Sequence, residues 1–188
     1  VMISIYSFSN GGGEMQPIRL ANELKRQGVP VIVHVYALDE STYSIRRCLR
    51  FDIPVVYLSE KDALKKKLQS FAIDCINTHH CSCQVLASSA YCPELNHVAT
   101  SHGMFDSMNE EQMQYLCSVL FKDRLDYWTY VADKNTEPFR QVGAYCKCLV
   151  AKIDNGIEIR DDIRPVHLTG IGIDEKSFTS TSSVGGKK

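Results

Sequence analysis

Residues 2–33 read MISIYSFSNGGGEMQPIRLANELKRQGVPVIV, and this stretch decides the fold. The apolar run at residues 2–8 predicts a buried strand, and apolar positions at helical spacing predict a helix over residues 14–27. Gly28 ends that helix, and a second strand rich in β-branched residues follows at residues 31–36. A strand, a glycine turn, a helix and a second strand predict the first crossover of an α/β sheet.

The same alternation continues through most of the chain. Five more strands are predicted, at residues 55–58, 73–77, 97–101, 127–132 and 148–153. Together with the first two strands, these make about seven strands, and helices lie between most of them. This alternation predicts an α/β fold with a doubly wound, mainly parallel, Rossmann-like sheet. The periodicity fades from residue 161, so we assign residues 1–160 to one domain and residues 161–188 to a linker or frayed extension.

Size and charge limit the classes of function. The 188 residues suffice for about one domain, and a net charge of −1 provides no basic field that would attract nucleic acid. No apolar run has the length of a transmembrane helix, and the sequence opens on a strand rather than a signal peptide. The eight cysteines therefore indicate reduced, packed thiols, and we expect a cytoplasmic protein.

Polar residues collect where the predicted strands end. Ligands of doubly wound sheets bind at the carboxyl ends of the strands. The segments at those ends are residues 10–14, 39–40, 78–80, 101–103, 133–134 and 154–156. In the first of them, a glycine-only turn lets backbone N–H groups approach a ligand, and the helix N-terminus that follows favours a phosphate. Two of the other ends carry histidine.

A dinucleotide is the first candidate ligand for the glycine turn, but the sequence does not fit it. Asp39 follows the second strand, where an acid would hold a ribose. A G-x-G-x-x-G pattern begun at Gly11, however, has Gln16 where the third glycine belongs, and Glu14 puts a negative charge beside the phosphate. The turn therefore indicates a different phosphate-bearing ligand.

A zinc ion is the corresponding candidate for the cluster of His79, His80, Cys81 and Cys83. The two cysteines are spaced C-x-C rather than C-x2-C, as is a second pair near the seventh strand. Neighbouring residues of an extended segment point to opposite faces, which makes a tetrahedral site awkward. We therefore expect no metal and no cofactor.

Four motifs occur in an order that resembles the N-terminal domain of family-4 glycosyltransferases. They are NGGGE at residues 10–14, a histidine-bearing end after the fourth strand, SHG at residues 101–103 and DNGIE at residues 154–158. The family helix pattern LAxxLxxxGxxVxV is matched by residues 20–33. The family motif NGID corresponds to NGIE at residues 155–158, with glutamate in place of aspartate. The resemblance covers residues 2–160 and implies a retaining enzyme of the two-domain B-type fold, related to glycogen synthases and envelope mannosyltransferases.

The resemblance also implies roles for particular residues. Gly12 and Gly13 would border the diphosphate of a nucleotide-sugar donor, and His102 would act as the catalytic contact to the transferred sugar or the leaving group. The acceptor side would be lined by Glu14 and by His79 or His80. Backbone amides and a helix dipole can stabilise a leaving diphosphate in part, so no metal is required.

In the resembling enzymes, a second α/β domain with an E-x7-E motif holds most of the donor nucleotide. Residues 168–178 resemble the lead-in to such a domain. We therefore expect the chain to be one domain of a longer enzyme, with its C-terminal domain as a partner in cis, and to show no turnover alone. The acceptor would be a glycan, a lipid-linked sugar or a small molecule.

Each of these features also has a simpler interpretation. The glycine run could be a tight turn without a ligand, His102 a hydrogen-bonded rim histidine, and Glu14 a complement to the helix dipole. The lysines at residues 65–67 fit a solvated helix face, or a peripheral contact with anionic lipid at the inner membrane face when the acceptor is membrane-bound. A noncatalytic nucleotide-sugar-binding domain and an epimerase-like domain are the alternative functions.

Overall fold

A computed structural model of the protein describes residues 1–9, 12–38, 45–90, 92, 94–103, 105–120, 125–141, 149–152 and 165–167. The strands in these residues are β1 (Met2–Ile5), β2 (Ile32–Val35), β3 (Val55–Tyr57), β4 (Cys75–Thr78), β5 (Asn96–Ser101), β6 (Tyr127–Tyr130), β7 (Leu149–Lys152) and β8 (Pro165–His167). The α-helices are α1 (Gly12–Arg26), α2 (Lys61–Ser70), α3 (Cys81–Ser89), α4 (Glu110–Leu120) and α5 (Glu137–Gln141).

The strands form one sheet in the order β3-β2-β1-β4-β5-β6-β7-β8. Strands β1 to β7 pair in parallel, which confirms the predicted doubly wound architecture. The strand order reverses at β1, which pairs with both β2 and β4, so that Ser4 lies opposite His34 on one side and Thr78 on the other. In such sheets the ligand crevice opens at this switch point.

An eighth strand extends the predicted sheet. Pro165–His167 pairs antiparallel with β7, inside the segment for which the sequence predicted a linker. Three residues are too few to show an alternating pattern, and a proline argues against a central strand while an edge strand tolerates it. The domain boundary at residue 160 stays a prediction.

Some predicted features lie outside the described residues. These are residues 10–11 of the glycine turn, residues 39–40, the C-x-C pair Cys146 and Cys148, the DNGIE motif at residues 154–158, and residues 168–178. Four cysteines in the described part of the chain, Cys75, Cys81, Cys83 and Cys92, are free thiols. None of the helices described there is both long and apolar enough to cross a membrane.

Alternation along β1 divides the core between the two faces of the sheet. Ile3 and Ile5 pack in a cluster with Ile18 of α1, whereas Met2 packs on the opposite face with residues of α2 and α3, among them Leu64. Successive side chains of a strand point to opposite faces, so both faces of this strand are apolar and both are covered by helices. The four residues of β1 are accordingly all buried.

Helix α1 ends as the sequence predicted. Gly28 has φ +82°, its N–H donates to the carbonyl of Lys25 at 3.0 Å, and the N–H of Val29 donates to that of Leu24 at 2.9 Å. These two bonds form a Schellman motif, which satisfies carbonyls that the helix end leaves open and which glycine adopts without strain. The turn directs the chain into β2.

An aromatic cluster anchors β5 and β6 near their carboxyl ends. Trp128 is fully buried, packs edge-on against Phe139 at 4.7 Å between ring centroids, and donates its Nε1–H to the Ser101 hydroxyl at 2.7 Å. Because Ser101 is the last residue of β5, this bond fixes the point from which the loop to α4 departs. That loop begins with His102.

Candidate functional site

A cavity of about 130 Å³ lies where the carboxyl ends of β1, β4 and β5 meet. It is lined by the start of α1, the start of α3 and the loop after β5, through Gly13, Glu14, His79, His80, Cys81, Gln84, Thr100, Ser101, His102, Gly103 and Phe105. Five of the six predicted site residues therefore share one cavity, and Gly12 directly precedes it in the chain. The topological switch point brings together Gly13 and His102, which are almost 90 positions apart in the sequence.

The N-terminal residues of two helices line this cavity. Helix α1 begins at Gly12 and α3 at Cys81, and Gly13 and Cys81 both belong to the lining. The first backbone N–H groups of a helix lack partners within the helix, and the helix dipole adds partial positive charge at that end. Two such ends converging on one cavity favour a ligand that carries negative charge, such as a phosphate.

Gly13 lies beside His102, and the space between them would admit a methyl group. A Cβ added to Gly13 would lie 3.5 Å from His102 Cβ and 3.6 Å from its Cγ, which is ordinary van der Waals contact. Among the described glycines, Gly28 and Gly103 have positive φ and Gly13 does not. The fold therefore has room for a methyl group at residue 13, and the glycine instead keeps the cavity wall open beside His102.

His102 and His79 form a hydrogen-bonded pair of rings. His79 Nδ1 lies 2.9 Å from His102 Nε2, and the ring centroids are 5.2 Å apart. Burial lowers the pKa of His102 to about 4. Burial, with a smaller contribution from His102, holds the pKa of His79 well below its ordinary value. Both rings are therefore neutral near pH 7.

His80 is the N-cap residue of α3 and packs on a different ring from this pair. Its Nδ1 accepts a hydrogen bond from the Ser82 N–H at 3.2 Å, so the ring caps the helix. The ring also packs on Tyr6 at 4.6 Å between centroids, and Tyr6 stacks on Tyr36 at 5.6 Å. Burial lowers the pKa of His80, and the Glu14 carboxylate partly offsets that effect. The three rings form an aromatic row beside the cavity.

The amino-acid sequence of the chain matches an established protein family. The sequence profile of glycosyltransferase family 4 matches residues 10–144, more than half of the chain. This chain belongs to glycosyltransferase family 4. The predicted resemblance is thereby confirmed over the residues that contain the glycine turn, both histidine-bearing strand ends and helices α1 to α5.

The family 4 domain also has a counterpart among solved structures. It superposes on the apo form of the lipopolysaccharide outer core galactosyltransferase WaaB with a TM-score of 0.59 at 10% sequence identity. The match covers 86% of this chain and 48% of that chain, so the present chain spans about half of the galactosyltransferase. At this identity the likeness concerns the fold. By sequence, no curated protein matches the chain.

Two further groups at or beside the cavity were not among the predicted residues. Gln84 is buried, lines the cavity and donates its Nε2–H to the Thr100 carbonyl at 3.3 Å, which ties α3 to the end of β5. Tyr6 and Tyr36 form the aromatic row with His80. The position of Tyr6 directly after β1 was the available signal, since residues at that edge face the crevice.

The loop that holds His102 is itself fixed in place. Gly103 has φ +119°, and a Cβ there would lie 3.4 Å from the Asn135 amide nitrogen. Asn135 is buried, and its Oδ1 accepts from the Ala132 N–H at 2.9 Å. A side chain at residue 103 would be strained by the backbone conformation, so glycine is required there for His102 to lie beside Gly13.

We expect acidification to destabilise the domain between pH 6.5 and about 4. Burial lowers the pKa of His102 from 6.5 to about 4, so within this range the unfolded chain binds a proton that the folded domain does not. The free energy of unfolding therefore falls as the pH falls. His102→Gln should reduce this pH slope by up to about 1.4 kcal/mol per pH unit. Urea unfolding at several pH values down to about pH 5 measures the slope, and equal slopes in both proteins would contradict the buried, neutral state of His102.

Proposed function

We propose that this domain is the acceptor-side half of a retaining glycosyltransferase that moves a hexose from a nucleotide-diphosphate donor to an acceptor hydroxyl. The observation that carries the proposal is the position of Gly13 beside His102, separated by the space of a methyl group, in a cavity lined by two helix N-termini. The cavity offers donors for an anionic leaving group on one side and a neutral imidazole on the other. Membership of glycosyltransferase family 4 supports the reaction class.

The donor diphosphate would lie against Gly12 and Gly13. The transfer breaks the bond between the anomeric carbon and a diphosphate oxygen and forms one to the acceptor oxygen, so negative charge develops on the diphosphate, which takes up the proton that the acceptor hydroxyl loses. Backbone N–H groups and the dipole of α1 stabilise that charge without reorganising. This electrostatic role does not depend on a metal or a cofactor.

His102 would donate a hydrogen bond to the transferred sugar or to the leaving group. Because burial lowers its pKa to about 4, the imidazole is neutral at the pH of the cytoplasm and acts as a dipolar donor rather than as a cation. Its ring is hydrogen-bonded to His79, so little conformational freedom is lost when the donor sugar binds.

The acceptor would approach from the side of Glu14 and His80. Both residues line the cavity, and Tyr6 continues the aromatic row from His80 towards solvent with 38% of its surface exposed. Sugars present apolar faces that pack on aromatic rings, and a carboxylate accepts hydrogen bonds from hydroxyl groups. An acceptor that is a glycan, a lipid-linked sugar or a small polyol fits this combination.

The donor nucleotide would be held mainly by a second domain in cis. The chain spans 48% of the galactosyltransferase whose fold it shares, which supports a division of the site between two domains. We propose that the 188 residues alone do not turn over, and that the enzyme works in the cytoplasm, in peripheral contact with the inner membrane face when its acceptor is membrane-bound. Nucleic acid is not among the proposed partners.

Ligand titration of the 188-residue chain tests the donor site. UDP-hexoses and GDP-hexoses should shift the amide resonances of Gly13 and Glu14 in ¹H–¹⁵N spectra, whereas NAD should leave them in place. A nucleotide-sugar screen on the longer protein that contains this domain should then detect transfer. NAD binding at Gly13 would contradict the proposal. Nucleotide-sugar binding without transfer by the longer protein would favour a noncatalytic domain, and epimerised donor without acceptor consumption would favour an epimerase.

A further inference from the structure

Both ring nitrogens of His79 are closed to a ligand. Its backbone N–H donates to the Ser4 carbonyl at 2.9 Å, which fixes the residue at the end of β4. The residue is 7% exposed, its Nδ1 is engaged by His102, and its Nε2 is buried without a hydrogen-bond partner among the described residues. An acceptor could touch only the edge of this ring.

The hydrogen bond between the rings allows two arrangements of protons. In the first, His79 donates its Nδ1–H, so its Nε2 is a bare lone pair and His102 holds its own proton on Nδ1. In the second, His102 donates its Nε2–H, and His79 must then bury an Nε2–H for which the described part of the chain offers no acceptor. Buried N–H groups without acceptors are rarer than under-used acceptors, so the network assigns the first arrangement.

We propose that His79 is a positioning residue that donates its Nδ1–H to His102 and so holds the proton of His102 on Nδ1. This inference rests on the proposed function, because the Nδ1–H of His102 is then the group that donates to the sugar or the leaving diphosphate. His79 fixes both the orientation and the tautomer of its neighbour. The acceptor side of the cavity is left to Glu14 and His80.

The tautomer of His102 is directly measurable on the 188-residue chain. Long-range ¹H–¹⁵N spectra of the imidazoles separate the Nδ1–H form from the Nε2–H form, and we expect His102 to be Nδ1–H near pH 7. His34 provides an internal standard, since its Nε2 lies 2.8 Å from the Leu58 carbonyl, which can only accept, and its Nδ1 lies 2.7 Å from the Ser4 hydroxyl. His34 must therefore show the Nε2–H pattern.

Two substitutions separate positioning from packing. His79→Asn keeps an N–H donor near the place of Nδ1 and should keep His102 in the Nδ1–H form. His79→Phe keeps a ring of similar shape but removes the donor, so His102 should become a mixture of tautomers. In the longer enzyme, His79→Phe should lower kcat about 10- to 100-fold with little change in donor KM, which is the loss found for residues that orient metal-binding histidines. His79→Asn should restore most of that loss.

Three results would overturn the inference. They are an Nε2–H pattern for His102 in the unaltered chain, an unchanged tautomer in His79→Phe, or equal losses of kcat in both variants with the tautomer unaltered. If His79→Phe does not fold, the unaltered chain and His79→Asn still decide. Failure of the proposed function would give a different result. Transfer by the longer enzyme would then survive His102→Ala, while His102 of the unaltered chain would still show the Nδ1–H form.

Discussion

His102→Ala should lower kcat about 100- to 1,000-fold in the longer enzyme, which is the range found when one preorganised donor to a developing charge is removed. The ring lies beside Gly13 and is hydrogen-bonded to His79, so it is already oriented before substrate binds. Alanine removes the imidazole and with it the N–H donor. Steady-state kinetics with varied donor measures the loss, and it should appear in kcat rather than in acceptor KM.

His80→Asn is the matched control for that substitution. Asparagine is among the preferred residues at a helix N-cap, so the bond to the Ser82 N–H can be kept and α3 should still begin at the same residue. We expect this variant to raise acceptor KM by more than it lowers kcat, because His80 lies on the aromatic row with Tyr6. A folded His102→Ala enzyme with unaltered kcat would show that His102 has no part in the transfer.

The sheet could be predicted because its central strands are short runs rich in apolar, aromatic or β-branched residues between turn signals. For β1 and β2 these runs are buried on both faces, a pattern that short surface strands do not share. Helix α1 was equally predictable, since Gly28 ends it with the expected Schellman bonds. Strand β8 carried no comparable signal, because its three residues contain a proline.

The meeting of Gly13 and His102 in one cavity follows from topology, since β1, β4 and β5 are neighbours whose carboxyl ends share one edge. What the sequence could not decide was which of two consecutive histidines faces His102. Adjacent residues at a strand end point in different directions, so a difference of one position exchanges their roles. The structure places His79 against His102 and His80 against Tyr6.

Gly13→Ala should preserve the fold and still disable the enzyme. The added methyl would make only ordinary contacts with His102, at 3.5 and 3.6 Å, and alanine favours a helix over glycine by about 0.5–1 kcal/mol. We therefore expect unfolding in urea to show equal or higher stability. The same methyl would stand where the diphosphate approaches the start of α1, and a displacement of about 1 Å at a reacting group can lower the rate about 100-fold. We expect a loss of that size in kcat/KM for the donor.

Gly28→Ala is the opposite control. Gly13 lines the cavity and has no positive φ, whereas Gly28 has a positive φ and lies away from the cavity. A side chain at residue 28 would meet nothing within 4 Å, but φ is +82°, a conformation that costs a non-glycine residue about 1–2 kcal/mol. Gly28 lies at the far end of α1 from the cavity, so this variant should lose stability and keep its transfer rate. If both variants lose stability and neither loses transfer, Gly13 is a structural turn. Loss of transfer in a stable Gly13→Ala enzyme assigns the open wall beside His102 to the donor diphosphate, because folding alone gives no reason for glycine at that position.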